Sequence, residues 1–480
     1  MNQTRRVLTG VVALLAASAA NSQQSPEVAR KFVADAKAWM NAPGKALMND
    51  PSKPVAFVHF TADALASDVL RELGAVQVFN DRVAERALRR VLSDKNIRSI
   101  SLVETNLAMM DKMEADRSIK LCDEETFSYC RAFETSGWRS GSGARELTGV
   151  LVDGEKEQEG QALLVARGKD VVGQVLTNDS TFTLRSIAPS VLAITTSQLG
   201  PQDRDPDDVS RPPPPPAEPN PLNDTGGPAA AGAIDEVAGE CSNPAKPVQV
   251  DLSVGITRRA AAEALNKQLD VRLLLEFSAS LANTSLRLSK INGTLNVADT
   301  VDVSYVESGD FETDVNALLR ADRRLVPLLS SRTSHHADVT VLIIDDPNAY
   351  KCGQAAGIRV DSGRSFAVVN WQCLTDRFSF VHEVGHLIGA WHDPKTLETQ
   401  LRPGEKVQPA YAHGYITTGL QPVTTIMGYP NACPQPCGRS WYWANPELSY
   451  RGQVLGTRDV NFDACVWRKR LPVVAAFDGR

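Results

Sequence analysis

Apolar positions along this chain change their spacing more than once. From Val28 to Trp39 they recur at helical intervals. Short alternating runs follow: ALLVARG at 162–168, VVGQVL at 171–176, TFTLRSI at 181–187 and SVLAITT at 190–196 read as antiparallel strands. Between Gln202 and Gly227 the sequence QDRDPDDVSRPPPPPAEPNPLNDTGG is almost devoid of apolar residues, and its proline block favours a stiff polyproline II segment, so it reads as a linker. Beyond Cys241 the periods mix. A strand at Val248–Val254 is followed by a helix from Thr257 to about Leu269 and by strands near Arg287–Leu295 and Thr300–Val306. A helix from about Glu312 to Arg320, a strand at Val339–Ile344 and an edge-like strand at Ser365–Asn370 complete the pattern. The expectation is a mostly β first unit and a mixed α/β second unit.

The chain of 480 residues is long enough for two hydrophobic cores. Its start, MNQTRR followed by VLTGVVALLAASAA, has the basic head, short apolar run and small-residue exit of a signal peptide, with cleavage expected after Ala19, Ala20 or Ser22. The expected divisions are a signal peptide over 1–22, a first domain over 23–200, a Pro-rich linker over 201–240 and a second domain over 241–480. Export predicts a secreted, extracellular or periplasmic protein in which the eight cysteines pair, bridging within each half. A net charge of −6 argues against a nucleic-acid partner. No second apolar run reaches the roughly 18 residues that a membrane span needs. The sequons at Asn178, Asn223, Asn283 and Asn292 matter only in a host that glycosylates exported proteins.

Residues 382–393 read HEVGHLIGAWHD. A helix is expected here: Thr375 is a candidate cap, Asp376 suits the positive end of the dipole, and Phe378, Val381, Val384, Leu387 and Ile388 form a buried stripe. On that helix His382 and His386, at i and i+4, project toward one point. His392 is six residues further on and cannot share their face, so the chain must leave the helix between them. Gly389 permits the exit because glycine accepts the left-handed conformation without steric cost. Three neutral imidazoles with a fourth position open for water are the ligand set of a catalytic zinc. Glu383, directly after the first ligand, is placed to take a proton from zinc-bound water, whose pKa the metal lowers to about 7, and to pass it to the leaving amine. At this chain's composition the full HExxHxxGxxH pattern arises by chance on the order of once in a hundred thousand. His59, His335 and His336 lie outside any ligand spacing, and His413 reads as a structural hydrogen-bonder.

The pattern resembles the metzincins, which carry HExxHxxGxxH followed by a methionine turn. The turn candidate is Thr424-Thr425-Ile426-Met427-Gly428-Tyr429. The resemblance implies that Met427 forms a hydrophobic floor under the metal; an ordinary core methionine is the plain alternative. Asp393 after the third histidine resembles the reprolysin, or adamalysin, branch and is expected to anchor the following loop. Tyr429 resembles the astacins and serralysins, where it would contact the metal site or steady the oxyanion; a packed tyrosine is the alternative. Across most of the second unit the segments YVESGDFETDVNALLR, ADVTVLIIDD, KCGQAAGI, FAVVNWQC, YAHGY and ANPELSYRGQVLGT resemble, in order, secreted reprolysin-like enzymes related to peptidyl-Asp metalloendopeptidases.

That likeness implies a metzincin-type α/β (α+β) catalytic domain, with a twisted mixed sheet and an active-site helix, preceded by a propeptide domain that keeps a zymogen latent. It implies one catalytic zinc, with structural calcium left open, and protein or peptide substrates. Phe366, Ala367, Val368, Val369 and Asn370 would form the edge strand to which substrate adds, an ordinary edge strand being the alternative. A preference for aspartate would need a basic group, with Arg402, Lys406 and Arg439 as unranked candidates. Cys122 is the one candidate for a latency thiolate, against a Cys122–Cys130 disulfide. The rival reading is a zinc-stabilised, proteolytically inactive binding or adhesion module; Glu383 argues against it, since such a module needs only the ligands.

Overall fold

The computed structural model describes residues 26–40, 57–105, 121–122, 129–130 and 144–197 with short interruptions, and 241–478 apart from 347–350, 376, 402–405, 421 and 435–436. The expected signal peptide and the Pro-rich linker lie outside the described residues, as do the side chains of Cys122 and Cys130, Asp376 and Arg402. The chain divides into two compact units, Met1–Leu199 and Gly200–Arg480.

The first unit is built on an antiparallel sheet. Its strands are β1 (Phe57–His59), β2 (Ala64–Leu65), β3 (Ile97–Thr105), β6 (Arg145–Asp153), β7 (Lys156–Arg167), β8 (Asp170–Leu176), β9 (Thr181–Ala188) and β10 (Val191–Ser197), and a separate two-strand ladder pairs β4 (Leu121–Cys122) with β5 (Tyr129–Cys130). The order is β1-β3-β10-β9-β8-β7-β6, with β2 also on β3. Three helices, α1 (Pro26–Met40), α2 (Ala66–Leu73) and α3 (Arg82–Ser93), share a core with this sheet through Phe32, Val69, Leu88, Ile100 and Val191. The expectation of a mostly β unit overlooked α2 and α3. Their apolar residues recur at helical spacing but stand between charges, as in RVAERALRRVLS.

The second unit carries a sheet in the order β12-β11-β13-β15-β14, formed by β11 (Val248–Thr257), β12 (Gly293–Val303), β13 (Val339–Ile344), β14 (Gly353–Ala355) and β15 (Phe366–Asn370). The first four run parallel and β14 pairs antiparallel with β15. Strands β13 and β15 are buried along their whole lengths, which is why VTVLII and FAVVN read as continuous apolar runs rather than alternating ones. Helices α4 (Arg258–Asn266), α5 (Val271–Leu288), α6 (Phe311–Leu319) and α7 (Val326–Ser334) fill the connections.

Several expected boundaries are corrected. Thr257 is not the first turn of its helix but the cap of α4, accepting from the Ala260 N–H, and the strand before it extends to Thr257. The two strands expected at Arg287–Leu295 and Thr300–Val306 are one strand, β12, and Arg287 and Leu288 end α5. Helix α5 itself was not expected. It has no polar face to set a period, and the serines that suggest a loop are buried hydrogen-bond donors and acceptors. Ser278 donates to the Leu374 carbonyl, and Ser285 accepts from the Trp443 indole at 3.0 Å.

The remaining elements are α8 (Ser379–Ile388), α9 (Pro394–Leu397), β16 (Val423–Thr424), β17 (Gly438–Arg439), β18 (Asn445–Tyr450), β19 (Gln453–Leu455) and α10 (Asp463–Val474). Helix α8 packs against β14, β15, α5 and α10, and every residue in it is buried. Among the described residues three disulfides join Cys241–Cys465, Cys352–Cys373 and Cys433–Cys437, each within this unit. The first, closing a separation of 224 residues, ties the unit's start to α10. By chain entropy a loop of that order stabilises by about 5 kcal/mol. Asn283 and Asn292 engage their side-chain amides with the Leu295 and Pro244 carbonyls. No helix among the described residues is long and apolar enough to cross a membrane.

Candidate active site

Helix α8 starts later than its sequence suggests. Phe378 occupies the cap position in a left-handed conformation with no side-chain cap, so neither Thr375 nor the apolar stripe begins the helix. The helix ends at Ile388, and Gly389 follows at φ 132°, where a side chain would be strained and would press on Val466 and Arg359. The main chain then brings Ala390 back over the last turn, and the His386 Nδ1–H donates to the Ala390 carbonyl at 2.9 Å. His392 sits on an extended stretch held on both sides: Trp391 N–H donates to Ala412, Gly414 N–H to Trp391, and Asp393 N–H to Met427.

These constraints converge three imidazoles. His392 Nε2 lies 3.2 Å from His382 Nε2 and 3.0 Å from His386 Nε2, and all three rings are buried. Each Nδ1 faces an acceptor: the Ile426 carbonyl for His382 at 3.1 Å, Ala390 for His386, and the Gln400 side-chain oxygen for His392 at 2.7 Å. That pattern puts the protons on Nδ1 and turns three Nε2 lone pairs toward one point. Burial lowers His382 to about 3 and His386 to about 4, and holds His392 well below its ordinary value, so all three imidazoles are neutral at pH 7. Three neutral lone pairs facing one another in a dry pocket repel unless a cation lies between them, and the residues therefore fit a zinc ion.

Glu383 is wholly buried, and neither of its carboxylate oxygens makes a hydrogen bond of good geometry, the Ala355 main chain being near enough only to favour the charged form. Burial pushes the carboxyl up to about 8, with the Ala355 main chain and the Lys351 ammonium drawing it down. Strand β14 makes this possible: a Cβ at Gly353 would stand 2.6 Å from Glu383 Cγ and 2.7 Å from Oε1. The sequence pattern did not single out Gly353; the close approach of strand and helix is what demands a glycine there.

Met427 is fully buried, and its sulfur lies 3.3 Å from where a Cβ on Gly385 would be. A Cβ at Gly414 would stand 2.5 Å from the Met427 carbonyl carbon. Asp393 caps α9 through Thr396, and its Oδ2 also accepts from the Tyr429 N–H at 3.1 Å, joining the stretch after the third histidine to the methionine turn. The Tyr429 hydroxyl is 3.3 Å from His392 Nε2. His413 Nδ1 hydrogen-bonds the His392 carbonyl at 3.0 Å, a supporting contact rather than a ligand.

Phe366–Asn370 is not an edge. Its outer side pairs with Gly353–Ala355, and the Asn370 N–H and Phe366 carbonyl bond Cys352 and Ala356. No main-chain row on β15 is open to a peptide, and the outer strand on that side of the sheet is β14. Among the candidate cations, Lys406 is exposed, whereas Arg439 is buried beside the triad. Its guanidinium carbon lies 5.9 Å from the Tyr429 ring centroid and 6.0 Å from that of Phe378, and Nη1 donates to the Arg377 carbonyl.

A model of the metallo-peptidase family M12B, reprolysin-like, matches residues 275–393, from α5 to the residue after the third histidine. A peptidyl-Asp metalloendopeptidase from Xanthomonas campestris pv. campestris is 30% identical over 388 residues, covering 78% of this chain and 84% of that relative. Another, from Stenotrophomonas maltophilia, is 29% identical over 318 residues, covering 65% of this chain and 69% of its own. Metalloproteinase-II from Bacteroides fragilis overlays with a TM-score of 0.37 at 12% identity over 59% of this chain and 85% of its own, too slight a likeness to bear on the fold.

Proposed function

Because the chain belongs to the family of the peptidyl-Asp metalloendopeptidases and is a metalloendopeptidase, we propose that it cleaves peptides with zinc held by His382, His386 and His392 and with Glu383 as the proton carrier. The observation that carries this reading is the convergence of three neutral Nε2 atoms next to a wholly buried carboxyl. An ion bound there supplies Lewis acidity and lowers the pKa of water toward neutrality. Glu383 takes the proton of the attacking water as the C–O bond forms, and returns it to the amide nitrogen as the C–N bond breaks, so that an amine leaves. Tyr429, anchored through its main chain to Asp393, donates its hydroxyl to the carbonyl oxygen as negative charge develops. The substrate adds as a further strand along the outer side of β14.

The relatives' name supports an acidic preference for this chain too, and the cation suited to reading it is Arg439. Burial lowers its guanidinium to about 10, so it stays charged at neutral pH, and ring faces of Phe378 and Tyr429 bracket it beside the triad. Arg439→Leu is expected to reduce the ratio of kcat/KM for an Asp peptide over its Asn counterpart by about 10- to 100-fold, the loss of a charge-assisted pair. Steady-state kinetics on the matched peptides reads this out; an unchanged ratio would place the preference elsewhere.

In the same reading the first 22 residues direct export, the first unit is a propeptide, and cleavage within 201–240 releases the second unit from latency. The basic-then-apolar start and the three disulfides of the second unit support export. The test is metal analysis together with cleavage of a mixed peptide library. A single bound zinc, cleavage lost to a chelator and regained on zinc addition, and products sharing an acidic residue at the cut are expected. A folded, zinc-loaded protein that cuts nothing after removal of the first unit would overturn the reading.

A further inference from the structure

The third ligand is held differently from the other two. His382 and His386 donate from Nδ1 to main-chain carbonyls, those of Ile426 and Ala390, which no substitution removes. His392 donates instead to a side chain, Gln400 Oε1, at 2.7 Å, the shortest of the three contacts. We propose that Gln400 is a positioning residue for the metal site, fixing the tautomer and ring orientation of His392; this rests on the reading that the three histidines bind zinc.

The chain delivers Gln400 by a closed path. Asp393 caps α9 by accepting from the Thr396 N–H at 3.0 Å and hydroxyl at 2.7 Å, and the same carboxylate takes the Tyr429 N–H. Leu397 is buried under the turn, and the N–H groups of Gln400 and Leu401 both return to the Leu397 carbonyl. Eight residues after the ligand, the side chain therefore lies back over the His392 ring. In this placement the amide oxygen accepts the Nδ1 proton and leaves the Nε2 lone pair turned to the other two imidazoles. Without it, nothing in that contact distinguishes the two tautomers or the two ring flips.

Being neutral, the amide polarises the imidazole less than a carboxylate does, which sets a direction for the test. Full-length protein would be titrated with zinc against a competing chelator, with wild type, Gln400→Leu and Gln400→Glu compared. Gln400→Leu keeps the volume and removes the acceptor; zinc affinity is expected to fall by about 10- to 100-fold, the usual effect of an outer-shell partner. Gln400→Glu restores the acceptor and is expected to bind zinc at least as tightly as wild type. Melting of the zinc-free proteins separates folding from binding, and the zinc-free Gln400→Leu protein is expected to melt like wild type. Equal loss of affinity in both variants with equally lowered melting means that the contact is merely structural, and unchanged affinity in Gln400→Leu means that it orients nothing. A wild-type protein that binds no zinc overturns the ligand reading itself, a different failure.

Discussion

Glu383→Gln is expected to lower kcat/KM for peptide cleavage by about 100- to 10,000-fold, the range that a positioned proton carrier contributes. The amide keeps the shape and volume of the side chain but neither takes a proton from water nor returns one to an amine. The burial of Glu383 makes the variant informative. Its carboxyl is wholly buried between helix and strand, a costly place for a charge, and burial pushes it up to about 8. The amide replaces a largely neutral carboxyl of the same shape, and the variant is expected to melt no lower than wild type and to hold the same zinc. A group placed for packing would show the opposite, retained turnover with altered stability. Kinetics, metal content and a thermal melt on the same preparation decide between them, and wild-type turnover in the variant would remove Glu383 from the mechanism.

Much of this site is legible in the sequence because it is local. His382 and His386 are four apart on one helix, and Gly389 ends that helix in time for His392 to turn back toward them. What is not legible depends on partners distant in the chain. The helix start was misplaced because Phe378 enters through a left-handed backbone with no capping side chain, so Thr375 only resembles a cap. The true edge is hidden in the sequence because GQA at 353–355 is three residues without β-branched or aromatic side chains, and only the fold shows that it covers FAVVN. Gln400 carries no spacing signal, since its reach to His392 depends on α9 being anchored to Met427 and Tyr429 more than thirty residues later. Helix α5 leaves no period in the sequence for a related reason: a helix buried on nearly all sides loses the polar face from which its period is read.

The approach of β14 to Glu383 yields the sharpest geometric expectation. Gly353 has an ordinary backbone conformation, so Gly353→Ala is not refused by the main chain, and any cost comes from contact. The new methyl carbon would meet Glu383 Cγ at 2.6 Å, Oε1 at 2.7 Å and Cδ at 2.9 Å, closer than real side-chain carbons come. The strand has little freedom to recede: Cys352 is bonded to Cys373, and its carbonyl takes the Asn370 N–H at 2.8 Å. The carboxylate must therefore move, and a misplacement of about 1 Å at a reacting group costs on the order of 100-fold in rate. Gly353→Ala is expected to lose about that factor in kcat, with overpacking costing about 1–3 kcal/mol of stability. The discriminating variant is Gly353→Ala combined with Glu383→Asp, which shortens the side chain by one methylene and makes room for the methyl. If the two groups meet as described, the double variant regains the stability lost by Gly353→Ala alone, a non-additivity that residues out of contact do not show. Activity does not return with it, because the shortened carboxylate stands back from the metal site. A melt and a turnover measurement on the four proteins of that cycle test the contact, and strict additivity in stability would mean that strand and carboxylate do not touch.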